Sequence, residues 1–177
     1  MDLYKISIQS VQIKGYHYFK IKALRETLLV IQSEDGNTYD AHVLACLLPR
    51  EMERILEALR EVQIFSKSQR KTYTLEDVKG QQIGRVQHFL NTQLHGLLRC
   101  GKITRIEGEI NGEPTLTFRP NSTQMFSRNK QAGGAAYIPA TIWVEGPQRY
   151  KEFVLEGIRS TLPECGNVED MHVECLE

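Results

Sequence analysis

The sequence predicts an α+β domain: a mainly antiparallel sheet with about three helices packed on it, forming a single unit over residues 1–177. Three observations lead there. Apolar residues alternate at period two in several short stretches, which is how a half-buried strand reads. Turn residues such as Glu34-Asp35-Gly36-Asn37 and Asn111-Gly112 separate neighbouring stretches at hairpin distance. Three longer segments repeat apolar residues at helical spacing instead. Hairpins outnumber the strand–helix–strand crossovers that a parallel sheet needs, so the helices are expected against an antiparallel sheet.

The opening is a strand carrying Leu3, Ile6, Ile8, Val11 and Ile13, with a slip in phase near Ser10 that marks a bulge. Gly15 interrupts it, and Tyr16 to Lys22 resumes the alternation. Leu28-Leu29-Val30-Ile31 is a continuous apolar run, as in a strand covered on both faces, and Thr38 to Ala45 returns as its hairpin partner. Pro49 suits a first helical position, and Met52, Ile55, Leu56, Leu59 and Val62 follow at helical spacing. Ser66 to Lys71 is a basic connector. Thr74-Leu75-Glu76-Asp77 resembles a capping box that opens a second helix, with Val78, Ile83, Val86, Leu90, Leu94, Leu97 and Leu98 as its buried stripe and Gly101 as its end. Lys102 to Ile110 and Thr115 to Phe118 flank Asn111-Gly112, the strongest short hairpin signal in the chain. Residues 119–136 form a long polar loop without periodicity, a length that usually marks function or disorder. Tyr137 to Val144 is again a strand. Pro147 opens a third helix with Tyr150, Phe153, Val154, Ile158 and Leu162 on one face, and Val168 to Leu176 is a last strand.

The composition excludes several classes outright. With 22 basic and 22 acidic residues, 41% hydrophobic and 25% charged, the chain is neither a disordered tail nor a histone-like basic protein. No apolar run approaches the roughly 20 residues of a membrane span, and Met1 to Ser10 lacks the apolar block of a signal peptide. Cysteines 46, 100, 165 and 175 form no CxxC pair, so reduced thiols and an intracellular, cytoplasmic location are expected. Cys46 and Cys100 read as small buried hydrophobes.

No catalytic residue, cofactor or small-molecule substrate is expected. The nucleophile-elbow, phosphate-loop, dinucleotide and zinc-protease motifs are all missing. His88 and His95 are two helical turns apart and read as helix-surface residues. Cys165, His172 and Cys175 have the right chemistry for a soft metal, yet their spacing matches no standard zinc knuckle, so ordinary thiols are favoured and no metal is assigned. An enzyme of unknown type using that cluster is the third-ranked reading. Carboxylate pairs such as Glu34/Asp35 fall in turns, where solvated charge is the default.

Charge is unevenly spread. Lys5, Lys14, Lys20, Lys22 and Arg25 lie between Leu3 and Arg25 with no acid among them. Arg119, Arg128 and Lys130 occupy an acid-free stretch from Pro114 to Val144, and the last fourteen residues hold five acids and no base. Two functions follow. Opposite ends could attract successive copies and build a homo-oligomer. Alternatively, basic strands with interleaved Tyr4, Tyr16, Tyr18 and Phe19 could grip single-stranded nucleic acid, with aromatics stacking on bases and lysines following phosphates. The candidate contacts for an anionic partner are Lys14, Lys20, Lys22, Arg25, Arg128 and Lys130, and Met125-Phe126 is a candidate loop contact.

The layout resembles the matrix proteins of plant-infecting rhabdoviruses of the cytoplasmic type. The resemblance rests on the strand-rich opening Leu3–Ile13, the central helices, the polar loop and the closing strand–helix–strand unit Tyr137–Leu176. It implies a non-enzymatic structural protein that self-associates and bridges a ribonucleoprotein or RNA complex to an anionic membrane or envelope, in virion and host cytoplasm. The chain has no PPxY or PTAP motif and no long basic N-terminal arm, and no residue role carries over by position. A matrix-like structural protein is therefore the leading expectation, and a single-stranded nucleic-acid-binding module the alternative.

Overall fold

The computed structural model describes residues 2–14, 21–22, 26–34, 41–50, 63–66, 71–74, 77, 79–113, 115–116, 136–162 and 172–176. In chain order the strands are β1 (Leu3–Lys14), β2 (Ile21–Lys22), β3 (Leu28–Ser33), β4 (Leu44–Leu47), β5 (Gln63–Ser66), β6 (Lys71–Thr74), β7 (Gln82–Val86), β8 (Arg105–Ile110), β9 (Thr115–Leu116), β10 (Ala136–Pro147) and β11 (Val173–Leu176). Helix α1 (His88–Arg99) follows β7, and helix α2 (Lys151–Thr161) follows β10 after a 3-10 turn at Gln148–Tyr150.

The expected antiparallel β organisation is present, but the sheet is closed. Strands run β1-β7-β4-β3-β8-β10, and β10 pairs back onto β1 along both halves of β1, so six antiparallel strands form a ring. Closure is possible because β1 is long and bent. Its register against β10 shifts between Ile8 and Val11, where Ser10 adopts φ 58°, the bulge that the phase slip in the sequence announces. Beyond this bend the other edge of β1 changes partners: Lys5–Ile8 pair with β11, and Ile13–Lys14 pair with β7.

Ile6, Ile8 and Ile13, Leu29, Leu44 and Cys46, Ile83, Ile106 and Ile110, and Ile138, Ile142 and Val144 point inward from the six strands and are fully or nearly fully buried. Each such side chain contributes about 1.5–3 kcal/mol of burial. Leu90, Leu94 and Leu97 of α1 and Val154, Leu155 and Ile158 of α2 join the same core. Two buried polar side chains attach α1 to the barrel. The Gln87 side-chain Oε1 accepts from the Gln12 N–H at 2.8 Å while the Gln87 backbone N–H donates to the Gln12 carbonyl, and Asn91 Oδ1 accepts from the Leu44 N–H at 2.5 Å. The helix ends where Gly101 takes φ +67°, with Gly101 N–H to Leu98 O and Lys102 N–H to Leu97 O closing its last carbonyls.

Three expectations need correction. The second helix begins at His88, not near Thr74, and its first turns are instead β7. Gly80 at φ +72° breaks the helical path, and Gly84 sits so close to Ile13 and the Lys14 carbonyl that no side chain fits, which strand pairing requires and a helix does not. Residues 63–66 and 71–74 are paired strands with β2 alongside, a separate three-stranded sheet where the sequence suggested a helix end and a connector. Asn111-Gly112 does not turn a hairpin: β8 and β9 pair with the same strand, β10, with Ile110 opposite Ala140 and Thr115 opposite Tyr137. The Asn111 N–H donates to the Pro139 carbonyl and its Nδ2 to Thr141 Oγ1, so the segment is an interruption along one edge of β10. Of the three expected helices, two are present among the described residues as α1 and α2. The helix expected from Pro49 to Val62 falls mostly outside them, as does the polar loop 119–136 except for its last residue.

Tyr4 shows how tightly the barrel end is built. Its ring is buried and its hydroxyl donates to the Lys102 carbonyl at 2.6 Å. Burial pushes the phenol up to about 12 from 10.0. A folded value above the unfolded one gives stability that is complete below pH 10 and lost as pH climbs through 12, on the order of 2–3 kcal/mol. The stability difference between the native chain and Tyr4→Phe, measured by urea unfolding, is therefore expected to shrink across that window. A difference that stays flat from pH 9 to 11.5 would contradict it.

Candidate functional site

A cleft of about 590 Å³ opens where the C-terminal half of α1 passes over the edge of β3 and the start of β8. Val30 to Ser33 supply one wall, Thr104 to Glu107 the second, and His95, Leu98 and Arg99 the third. The helix places His95 and Arg99 one turn apart on the same face. Arg105 is half exposed, bonds Glu107 at 2.6 Å and reaches Glu145 at 4.0 Å, so it is held in place rather than neutralised by one dedicated partner. Arg99, Arg105 and Glu107 line the cleft together with Gln32, Ser33 and Thr104. Guanidinium groups beside such donors have the chemistry to hold an anion with hydrogen-bonding edges.

The connector that supplies Thr104 and Arg105 also carries Lys102, whose ammonium lies 3.6 Å from the ring centre of Phe153. Phe153 is 56% exposed on α2, an uncommon position for so large an apolar side chain. One turn earlier, the Arg149 guanidinium stacks 4.7 Å over Tyr150. Exposed rings held by cations offer flat faces on which another ring can stack. Leu3 and Phe89 are the other large apolar side chains exposed among the described residues.

The site residues expected from the sequence fare differently. Lys14 is exposed on β1, opposite Arg85 in the ladder, and Arg85 holds Glu34 through two bonds of 2.6 and 2.7 Å. Glu34 is therefore part of an ion pair, not a solvated turn carboxylate. Lys22 belongs to β2, in the separate three-stranded sheet. Lys20, Arg25, Met125, Phe126, Arg128 and Lys130 lie outside the described residues, as do Tyr16, Tyr18, Phe19 and Cys165. Tyr4, expected to stack, is instead buried. Cys46 is buried as expected, and burial raises its thiol, whereas Cys100 is exposed just beyond the end of α1. His172 is exposed, and Cys175 points its thiol at the Lys5 carbonyl. Among the described residues no group of three His, Cys, Asp or Glu is arranged to hold a metal. Nor is any described helix long and apolar enough to cross a membrane. The basic and acidic ends are neighbours in one molecule, since β1 and β11 pair with Lys5 opposite Leu176 and Ser7 opposite Glu174.

No family model matches the chain, and no curated protein sequence matches it. Among solved structures it is similar to the crystal structure of the HIRAN domain of human HLTF, with a TM-score of 0.50. The alignment covers 89% of this chain and 93% of that one at 12% sequence identity. The chain has a HIRAN-like fold. At that identity the likeness speaks for the HIRAN-like architecture and not for any residue of the cleft. The cleft residues His95, Arg99 and Arg105 carry no sequence signal of their own, because they come from two elements and share no motif. The half-exposed Phe153 is legible only as a member of a helical stripe that the structure rotates outward.

Proposed function

We propose that this chain is a single-stranded nucleic-acid-binding module. The observation that carries the reading is the cleft beside α1, which Arg99 and Arg105 line among polar and apolar side chains, together with the exposed ring of Phe153 under the Lys102 ammonium. Phosphates sit against guanidinium groups, and an unstacked base finds a ring face next to them. Neutral total charge fits a short site with a few phosphate contacts rather than a long electrostatic track. The self-associating, matrix-like reading keeps one observation in its favour: among the described residues β11 pairs with β1 alone, and a strand edge can template pairing with another chain.

Fluorescence anisotropy with a labelled single-stranded oligonucleotide, as DNA and as RNA, over a range of salt tests the proposal. Binding is expected to weaken with salt. Arg99→Ala and Arg105→Ala should each lower the slope of log affinity against log salt by about 0.7. Phe153→Ala should weaken binding by about 1–3 kcal/mol with little change in slope. Absence of binding, or binding indifferent to salt and to all three substitutions, would remove the proposal. Light scattering on the same samples separates the second reading, which requires mass that grows with protein concentration without nucleic acid.

A further inference from the structure

We infer that His42 and His95 form a binding site for a divalent transition-metal ion of the zinc class, a property independent of the nucleic-acid reading. His42 lies in the turn that leads into β4, and His95 on the face of α1 that borders the cleft. Their Nδ1 atoms are 3.4 Å apart. That separation is long for a hydrogen bond between two nitrogens, where about 2.9–3.0 Å is usual. It is the separation of two ligands on one ion, since a tetrahedral metal with bonds of about 2.0–2.1 Å sets its nitrogens roughly 3.3 Å apart.

Ring orientation agrees. The centroids are 5.2 Å apart with planes at 65°. They are closer than they would be if the two nitrogens pointed straight at each other, so the rings are inclined, as two imidazoles converging on one ion are. Neither ring has to move far to bind. The turn is followed at once by the β4 backbone, which Asn91 clasps one helical turn before His95, so the two histidines sit on elements already fixed to each other. No third His, Cys, Asp or Glu joins them among the described residues. Water or an anion can complete the coordination, as in open rather than structural zinc sites. The sequence hides the pair because its members are 53 positions apart and only the helix partner is suggested by periodicity.

The test uses the purified full chain, stripped with chelator and titrated with zinc chloride by calorimetry. One equivalent is expected to bind, with affinity at least tenfold weaker in His42→Gln and in His95→Gln. His88→Gln, on the same helix but two turns away, should bind as the native chain does. Zinc should also raise the Tm of the native chain and leave the Tm of both variants unchanged. Zinc-edge absorption on the native chain needs no variant and should show nitrogen and oxygen neighbours. A sulfur-dominated shell, no binding by the native chain, or binding retained by both variants would overturn the site.

Discussion

Replacing Gly146 with alanine is expected to destabilise the barrel by about 3 kcal/mol or more. Gly146 lies opposite Tyr4 in the β1·β10 ladder. A Cβ there would collide with the Lys102 carbonyl oxygen and would lie 2.6 Å from the Tyr4 hydroxyl and 2.8 Å from the ring carbon bearing it. None of these atoms is the loose end of a flexible side chain. The phenol is buried and hydrogen-bonded to the same carbonyl, so it cannot swing aside without leaving both groups unsatisfied. The expected shift in Tm is about 6–12 °C for a domain of this size. Tyr4→Phe removes one of the colliding atoms, and the penalty for Gly146→Ala should be smaller in that background, a non-additivity expected of residues in contact. Thermal melts of the two single variants and the double variant decide the matter. A Gly146→Ala protein within 1 kcal/mol of native would show that the barrel end yields more easily than its packing implies.

Asn91→Leu is expected to cost about 2–3 kcal/mol although leucine is similar in size and more apolar. The side chain is 2% exposed, and its Oδ1 is the acceptor for the Leu44 N–H at the first residue of β4. Leucine keeps the volume and removes the acceptor, leaving a buried donor unpaired, and that asymmetry outweighs the gain in apolar burial. Hydrogen exchange provides a second readout, because the Leu44 amide should lose protection by more than the global loss of stability accounts for. An equal loss of protection across the whole barrel would mean that the residue acts only through overall packing.

Much of this architecture is legible in the residues, for identifiable reasons. The period-two run from Leu3 to Ile13 announces both the strand and its bulge at Ser10, and Gly101 announces the end of α1. Val173 to Leu176 and the helix after Pro147 are likewise local patterns. Closure into a ring is not local. Each strand presents an inner and an outer face in an open sheet and in a barrel alike, so alternation cannot distinguish them. Ile83, Val86 and Leu90 share a helical spacing by coincidence, and only the contact of Gly84 with β1 assigns the first two to a strand. Asn111-Gly112 has the chemistry of a hairpin turn, but β10 is long enough to pair with both flanking strands and overrides it. The cleft was illegible for the same reason as closure: His95, Arg99 and Arg105 meet only after α1 folds back over β3 and β8.

The hand-over along β1 has a consequence for how the chain is born. Among the described residues, every strand that pairs with β1 is encoded late: β7 from residue 82, β10 from 136 and β11 from 173. At about 5–20 residues per second, a ribosome adds the stretch between β1 and the end of β10 in roughly 7–25 s. Through that interval the row of Ile6, Ile8, Val11 and Ile13 has been made while the strand that covers it along its whole length has not. Of the six ring strands, β1 leaves the ribosome first and completes its pairing last, which gives it the longest exposure of the six to aggregation or to a holding chaperone during synthesis.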